Sequence, residues 1–122
     1  MDIQLIDHIV LMVKDITVTT KFYSAFLGEP EFQDSEQVCW KVGDTKIFFG
    51  LPNAEYVPHN KDSYGINHLA FRVGNREELQ QLAQKLHVAD ISHSDIQKDT
   101  YSGNDFIWLD DPDGYRIEFY VR

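Results

Sequence analysis

The chain has 122 residues, with 20 acidic against 11 basic side chains, a net charge of −9 and a single cysteine. No run of Lys or Arg is available to neutralise a phosphate backbone, which argues against nucleic acid as a partner, and no stretch approaches the length that spans a bilayer. Cys39 has no second thiol with which to close an intrachain disulfide, and Met1–Leu5 lacks a charged segment followed by an apolar one, so a cytoplasmic, membrane-free protein is expected.

Residues 5–13 read as a strand that is apolar on both faces. Asp15 then stands where a helix over 16–27 needs its cap, and Gly28 stands just past its end. Glu29-Pro30 breaks the chain. Phe32, Val38-Cys39-Trp40 and Ile47-Phe48-Phe49, separated by Gly43-Asp44 and closed by Gly50, suggest three short strands. Residues 51–64, with Pro52, Asn53, Pro58 and Asn60, read as an irregular connector. A strand over 65–73 follows, then an Asn75 cap with Glu78 in capping-box position, a helix to about His87, and strands near 89–97, 104–110 and 115–121. The plan is thus βαβββ twice: module one over 1–52, a connector over 51–64 and module two over 65–122.

The two modules share their wording as well as their plan. Ile6-Asp7-His8-Ile9-Val10-Leu11-Met12-Val13 aligns without gaps on Ile66-Asn67-His68-Leu69-Ala70-Phe71-Arg72-Val73, and Lys46-Ile47-Phe48-Phe49 matches Arg116-Ile117-Glu118-Phe119. A fixed internal period means one supersecondary unit used twice. At this length the halves should share a core as one α+β domain over 1–122, with pseudo-twofold symmetry and a cup-shaped mixed sheet.

Strand alternation then sorts the faces. His8, Val10 and Met12 oppose Ile9, Leu11 and Val13; His68, Ala70 and Arg72 oppose Leu69, Phe71 and Val73; Arg116, Glu118 and Tyr120 oppose Ile117, Phe119 and Val121. The apolar sets should meet the helices, leaving the polar sets to line the cup. Two imidazoles and one carboxylate on rigid strands make a 2-His-1-carboxylate donor set with coordination positions left open. His8, His68 and Glu118 are therefore the candidate metal ligands, for Mn²⁺, Fe²⁺, Ni²⁺ or Zn²⁺. Singly, each also reads as ordinary strand structure; the repeat is what groups them. An ion held there would act as a Lewis acid on adjacent oxygens of one substrate. Arg72 and Arg116, of cup-facing parity, and Lys98, before the seventh strand, are candidate catalytic residues orienting a small anionic molecule. Tyr120, Trp108 and Trp40 suit either a pocket wall or the core. His59, His87 and His93 read as surface residues, and Cys39 as a small buried hydrophobe.

With its "DHIVLMVKD" and "NHLAFRVGN" strands and its closing "LDDPDGYRIEFY", the chain resembles the vicinal oxygen chelate superfamily, which includes glyoxalases, extradiol dioxygenases and fosfomycin-resistance proteins. The resemblance covers nearly the whole chain. It implies the paired βαβββ fold, a cup-shaped metal site and a homodimer, with the modules pairing within one chain or swapping across the dimer. Phe48 stands where glyoxalase I-like members carry a further carboxylate, which argues against standard lactoylglutathione lyase chemistry. Lys98 to Ser102 resemble the potassium-binding loop of fosfomycin-resistance transferases, implying K⁺ there. Val10, Trp108 and the missing C-terminal arginine depart from those enzymes. The expected activity is a metal-dependent lyase, transferase or isomerase. The alternatives are a bleomycin-resistance-type protein that sequesters a ligand without metal, and a small extradiol-type dioxygenase.

Overall fold

The structure, a computed structural model, describes all residues 1–122. It contains two compact units, Met1–Val57 and Pro58–Arg122, each with one helix on one four-stranded mixed sheet. The division falls inside the Pro- and Asn-rich connector that the sequence marks as a boundary. No helix is long and apolar enough to cross a membrane.

In the first unit the order is β1 (His8–Met12), α1 (Ile16–Leu27), β2 (Phe32–Gln33), β3 (Gln37–Val42) and β4 (Thr45–Gly50), and the sheet runs β1-β4-β3-β2. α1 crosses over so that β1 lies parallel to β4; the remaining pairings are antiparallel. Helix α1 starts where the Asp15 side chain accepts from Val18 N–H, and stops at Gly28, whose φ of +79° suits a residue without Cβ. The alternating residues Val13, Ile47, Phe49, Val38 and Trp40 are buried, and Tyr23 of α1 sits on Phe49 with ring centroids 4.4 Å apart. Trp40 belongs to this helix-packed side, its indole N–H donating to the Gly28 carbonyl. Its core role is thereby settled.

The second unit repeats the topology with β5 (His68–Val73), α2 (Arg76–Val88), β6 (Gln97–Lys98), β7 (Asp105–Asp110) and β8 (Arg116–Val121), ordered β5-β8-β7-β6. Asn75 caps α2 by accepting from Glu78 N–H, while the Glu78 carboxylate reaches back one residue further than in the usual box, to Gly74 N–H at 2.7 Å. Leu79 and Leu86 pack with Ile107, Leu109 and Ile117, all fully buried. The registers are equivalent: His8 pairs Lys46 and Val10 pairs Phe48, just as His68 pairs Arg116 and Ala70 pairs Glu118.

One expected strand shrinks. Residues 89–96 form no ladder, because Asp90 turns the chain at φ +58° and Ser94 pins it instead. Ser94 N–H donates to the Trp108 carbonyl and its hydroxyl accepts from Trp108 N–H, so only Gln97 and Lys98 pair regularly with β7. The first strands of each unit are also shorter than expected, beginning at the two histidines rather than at Leu5 and Gly65.

The DPDG turn positions β8. The Asp111 carboxylate accepts from Asp113 and Tyr115 N–H, both at 2.9 Å, and Gly114 takes φ +87°. The segment at His59 closes over this turn: His59 N–H donates to the Asp113 carbonyl, its ring stacks on Tyr115 at 4.9 Å, and its Nε2–H donates to the Ile66 carbonyl. His59 is thus a half-buried brace rather than the surface residue expected. His93 is half-buried too, donating from Nδ1 to the Ser94 carbonyl, whereas His87 is exposed.

Candidate functional site

Each histidine opens a strand, directly after a residue with a side-chain oxygen. His8 Nδ1–H donates to the Asp7 carboxylate and His68 Nδ1–H to the Asn67 amide oxygen, both at 2.8 Å. An oxygen acceptor on Nδ1 fixes the proton there and leaves the Nε2 lone pair free, the usual arrangement behind a metal-binding imidazole. The alignment of Asp7 with Asn67 carried this signal, and the reading centred on the histidines missed it.

In the second unit His68 Nε2 lies 3.5 Å from Glu118 Oε1, across the β5–β8 pairing. Two donors each about 2.1 Å from a common ion at a near-tetrahedral angle stand about 3.4 Å apart, so this pair has the spacing of adjacent ligands. Glu118 is only 8% exposed. Its Oε1 accepts from the Tyr120 hydroxyl at 2.9 Å, and Tyr120 has its pKa pushed up to about 12, by burial first and by that hydrogen bond second. At neutral pH the phenol therefore stays a donor and holds the carboxylate in place. Phe106 stacks in parallel on Tyr120 at 4.8 Å, fixing the ring.

Phe48, the register equivalent of Glu118 in the first unit, sets its ring edge-on to His8 at 5.9 Å. That unit thus offers one imidazole on an apolar face with Val10 and Met12. Within neither unit do three His, Cys, Asp or Glu side chains gather around one point.

The candidate cations have different fates. Arg72 lines an open cavity of about 250 Å³ together with His68, Ala70, Phe71, Asp99, Tyr120 and Arg122. Arg116 shares the face of Glu118 by register, but its guanidinium is taken by Asp110, with Nε to Oδ1 at 2.7 Å, and lies 4.1 Å over the Trp108 ring. Trp108 is thereby part of this face. Lys98 does not join it. Its partner in register is Asp105, and that carboxylate also binds Arg76 of α2, so Lys98 is drawn to the helix side of the sheet. The cause is the β6 pairing: alternation puts Gln97, not Lys98, opposite Phe106. Beyond it the 99–104 loop closes on itself, the Asp99 carboxylate accepting both the N–H and the hydroxyl of Ser102. Those Ser102 hydrogen bonds are the main reason its pKa is lowered.

Two βαβββ units of this topology define an α+β fold of the glyoxalase-like class. Residues 5–119 match the model of the Glyoxalase/Bleomycin resistance protein/Dioxygenase superfamily, and the chain belongs to that family. It is 29% identical to the uncharacterized protein YwkD of Bacillus subtilis (strain 168), over 96% of each chain. It is 23% identical to the metallothiol transferase FosB of Staphylococcus saprophyticus, covering 98% of this chain and 78% of that protein. A putative glyoxalase from Bacillus halodurans has the same fold, with a TM-score of 0.81 at 20% identity over 97% of this chain and 96% of that one.

Proposed function

We propose that the protein is a metal-dependent enzyme that binds a small, anionic, oxygen-rich molecule through adjacent oxygens, with His8, His68 and Glu118 as the ion's donors. The observation that carries this is the pairing of an Nε2 freed by its Nδ1 hydrogen bond with a buried, phenol-held carboxylate 3.5 Å away. His8 enters through the repeat: it opens β1 as His68 opens β5, with the same hydrogen bond to the preceding side chain. A Mn²⁺, Fe²⁺, Ni²⁺ or Zn²⁺ ion bound by two imidazoles and one carboxylate supplies Lewis-acid polarisation of a substrate oxygen.

The chain's own residues supply orientation. Asp7 and Asn67 hold the imidazoles, Tyr120 holds Glu118, and Arg72 presents a guanidinium beside His68. Arg116 and Lys98, whose charges Asp110 and Asp105 neutralise, brace β8 and β6 and shape the site from behind. A lyase or transferase reaction suits this set, and the likeness to a metallothiol transferase supports the second. We further propose a cytoplasmic homodimer, in keeping with the lone buried Cys39 and with the superfamily.

Elemental analysis of tag-free protein, after dialysis against trace Mn, Fe, Ni and Zn, tests the reading. About one ion per chain, lost in His8→Ala, His68→Ala and Glu118→Gln with the fold retained, is the expected result. A metal-free parent protein, or retention in all three variants, would sink it.

A further inference from the structure

His8 and His68 each donate from Nδ1 to the residue before them, but the two acceptors differ in kind. Asp7 presents a carboxylate oxygen whichever way its side chain turns, whereas the Asn67 amide has an oxygen on one side and an NH₂ on the other. With that amide turned over, the NH₂ would face His68 Nδ1, which could then only accept, and the ring proton would have to sit on Nε2. The setting of one amide therefore decides which nitrogen of His68 keeps its lone pair.

What sets the amide lies in the connector. Asn67 Nδ2–H donates to the Lys61 carbonyl at 2.9 Å, and because a carbonyl can only accept, the NH₂ must lie on that side and Oδ1 on the side of His68 Nδ1, 2.8 Å away. The Lys61 carbonyl is itself held by a turn. Asn60 Oδ1 accepts from Asp62 N–H at 2.9 Å, and the Asn60 carbonyl accepts both the N–H and the hydroxyl of Ser63, at 3.1 and 2.9 Å. His59 Nε2–H then closes the loop on the Ile66 carbonyl at 2.9 Å. Lys61 carbonyl, Asn67 amide and His68 ring thus form a relay in which each donor faces an acceptor.

The relay works against a stronger pull. Glu118 Oε1 stands 3.5 Å from His68 Nε2, and a carboxylate forms hydrogen bonds about twice as strong as those of a neutral acceptor such as an amide oxygen. Left to itself, the neutral ring would carry its proton on Nε2 and donate it to Glu118, and the two donors would bond to each other instead of standing open to an ion. We propose that the 59–67 loop, acting through Asn67, is the positioning element that keeps His68 in the Nδ1–H form, with its Nε2 lone pair turned to Glu118. The proposal rests on the reading above for the ion that would sit there, but the place of the proton needs no ion. The first unit requires no such device, since Asp7 accepts from His8 in any orientation.

The test uses metal-free protein at about pH 8, where ordinary imidazole is neutral, and long-range proton–nitrogen correlation spectra that read the tautomer of each ring. The parent should show His68 as Nδ1–H. Asn67→Leu, which removes the amide at similar volume, should move most of the His68 population to Nε2–H and leave His8 unchanged. Asn67→Asp, an acceptor in either orientation, should restore Nδ1–H. Asn60→Ala, which loosens the turn that holds the Lys61 carbonyl, should shift the His68 tautomer in the Asn67 protein and have no effect in Asn67→Asp. Nε2–H in the parent, Nδ1–H retained in Asn67→Leu, or an Asn60→Ala effect that is absent from the parent or equal in both backgrounds overturns the relay. Titration of the same variants with Mn²⁺ should show Asn67→Leu binding about tenfold more weakly than the parent, as the loss of an outer-shell partner implies. That arm separates the two ideas: the expected tautomers in a protein that binds no ion keep the relay and sink the metal reading, whereas ion binding by a parent whose metal-free His68 is Nε2–H keeps the metal reading and sinks the relay.

Discussion

Gly43 and Gly114 hold matching turns before β4 and β8, and replacing each with alanine should have unequal costs. Both have positive φ, +60° and +87°, so alanine at either pays the left-handed penalty of about 1 kcal/mol. At Gly43 a new Cβ meets nothing within 4 Å. At Gly114 it would collide with the backbone oxygen of His59, which must retreat. Retreat breaks the hydrogen bond from His59 N–H to the Asp113 carbonyl, worth about 1 kcal/mol, and the stacking of His59 on Tyr115, worth about another. Gly114→Ala should therefore cost about 3 kcal/mol and Gly43→Ala about 1. In urea melts followed by circular dichroism, with m near a typical value of about 2 kcal/mol per molar, the midpoints should differ by about 1 M at unchanged slope. Equal midpoints would refute the claim that the His59 segment clamps the turn ahead of Glu118.

Two further outcomes follow from the electrostatics. The Cys39 thiol is 2% exposed and its pKa is raised, by burial first and then by the Glu31 charge. It should react with a disulfide reagent only as fast as the protein unfolds, and stoichiometric labelling of native protein within seconds would contradict that. Asp105 has its pKa lowered by the hydrogen bond from Lys98 first and that from Arg76 second. A depressed carboxylate contributes stability above its unfolded value of 3.8 and loses it as the pH falls through the lower folded value. Asp105→Asn should thus be less stable than the parent at neutral pH and converge on it in strong acid; an unchanged gap across that range would defeat the assignment.

Much of the fold was legible because the sequence repeats itself. The gapless match of the two His-bearing strands, and of Phe48 with Glu118, reappears as equivalent register in the two sheets. Helix α1 could be bounded to the residue since both of its ends are local chemistry, the Asp15 cap and Gly28. The missing strand over 89–96 depended on a nonlocal choice, Ser94 binding the Trp108 backbone in place of a ladder. Charge partners were likewise invisible. Alternation places Arg116 on the same face as Glu118, but it is Asp110, six positions back and adjacent only through the hairpin, that takes up its charge. Lys98 was misplaced for the same kind of reason, since the short β6 pairing turns it toward Asp105 and α2.

His68 and Glu118 are proposed as adjacent ligands of one ion. An anomalous-scattering map of crystals loaded with Mn²⁺ or Ni²⁺ tests it most directly. The expected result is a peak about 2.0–2.3 Å from His68 Nε2 and from a Glu118 oxygen, with Nδ1 still bound to Asn67 and a second imidazole Nε2, that of His8, completing the set. A peak elsewhere, or ligation through Nδ1 with the Asn67 hydrogen bond broken, would contradict it.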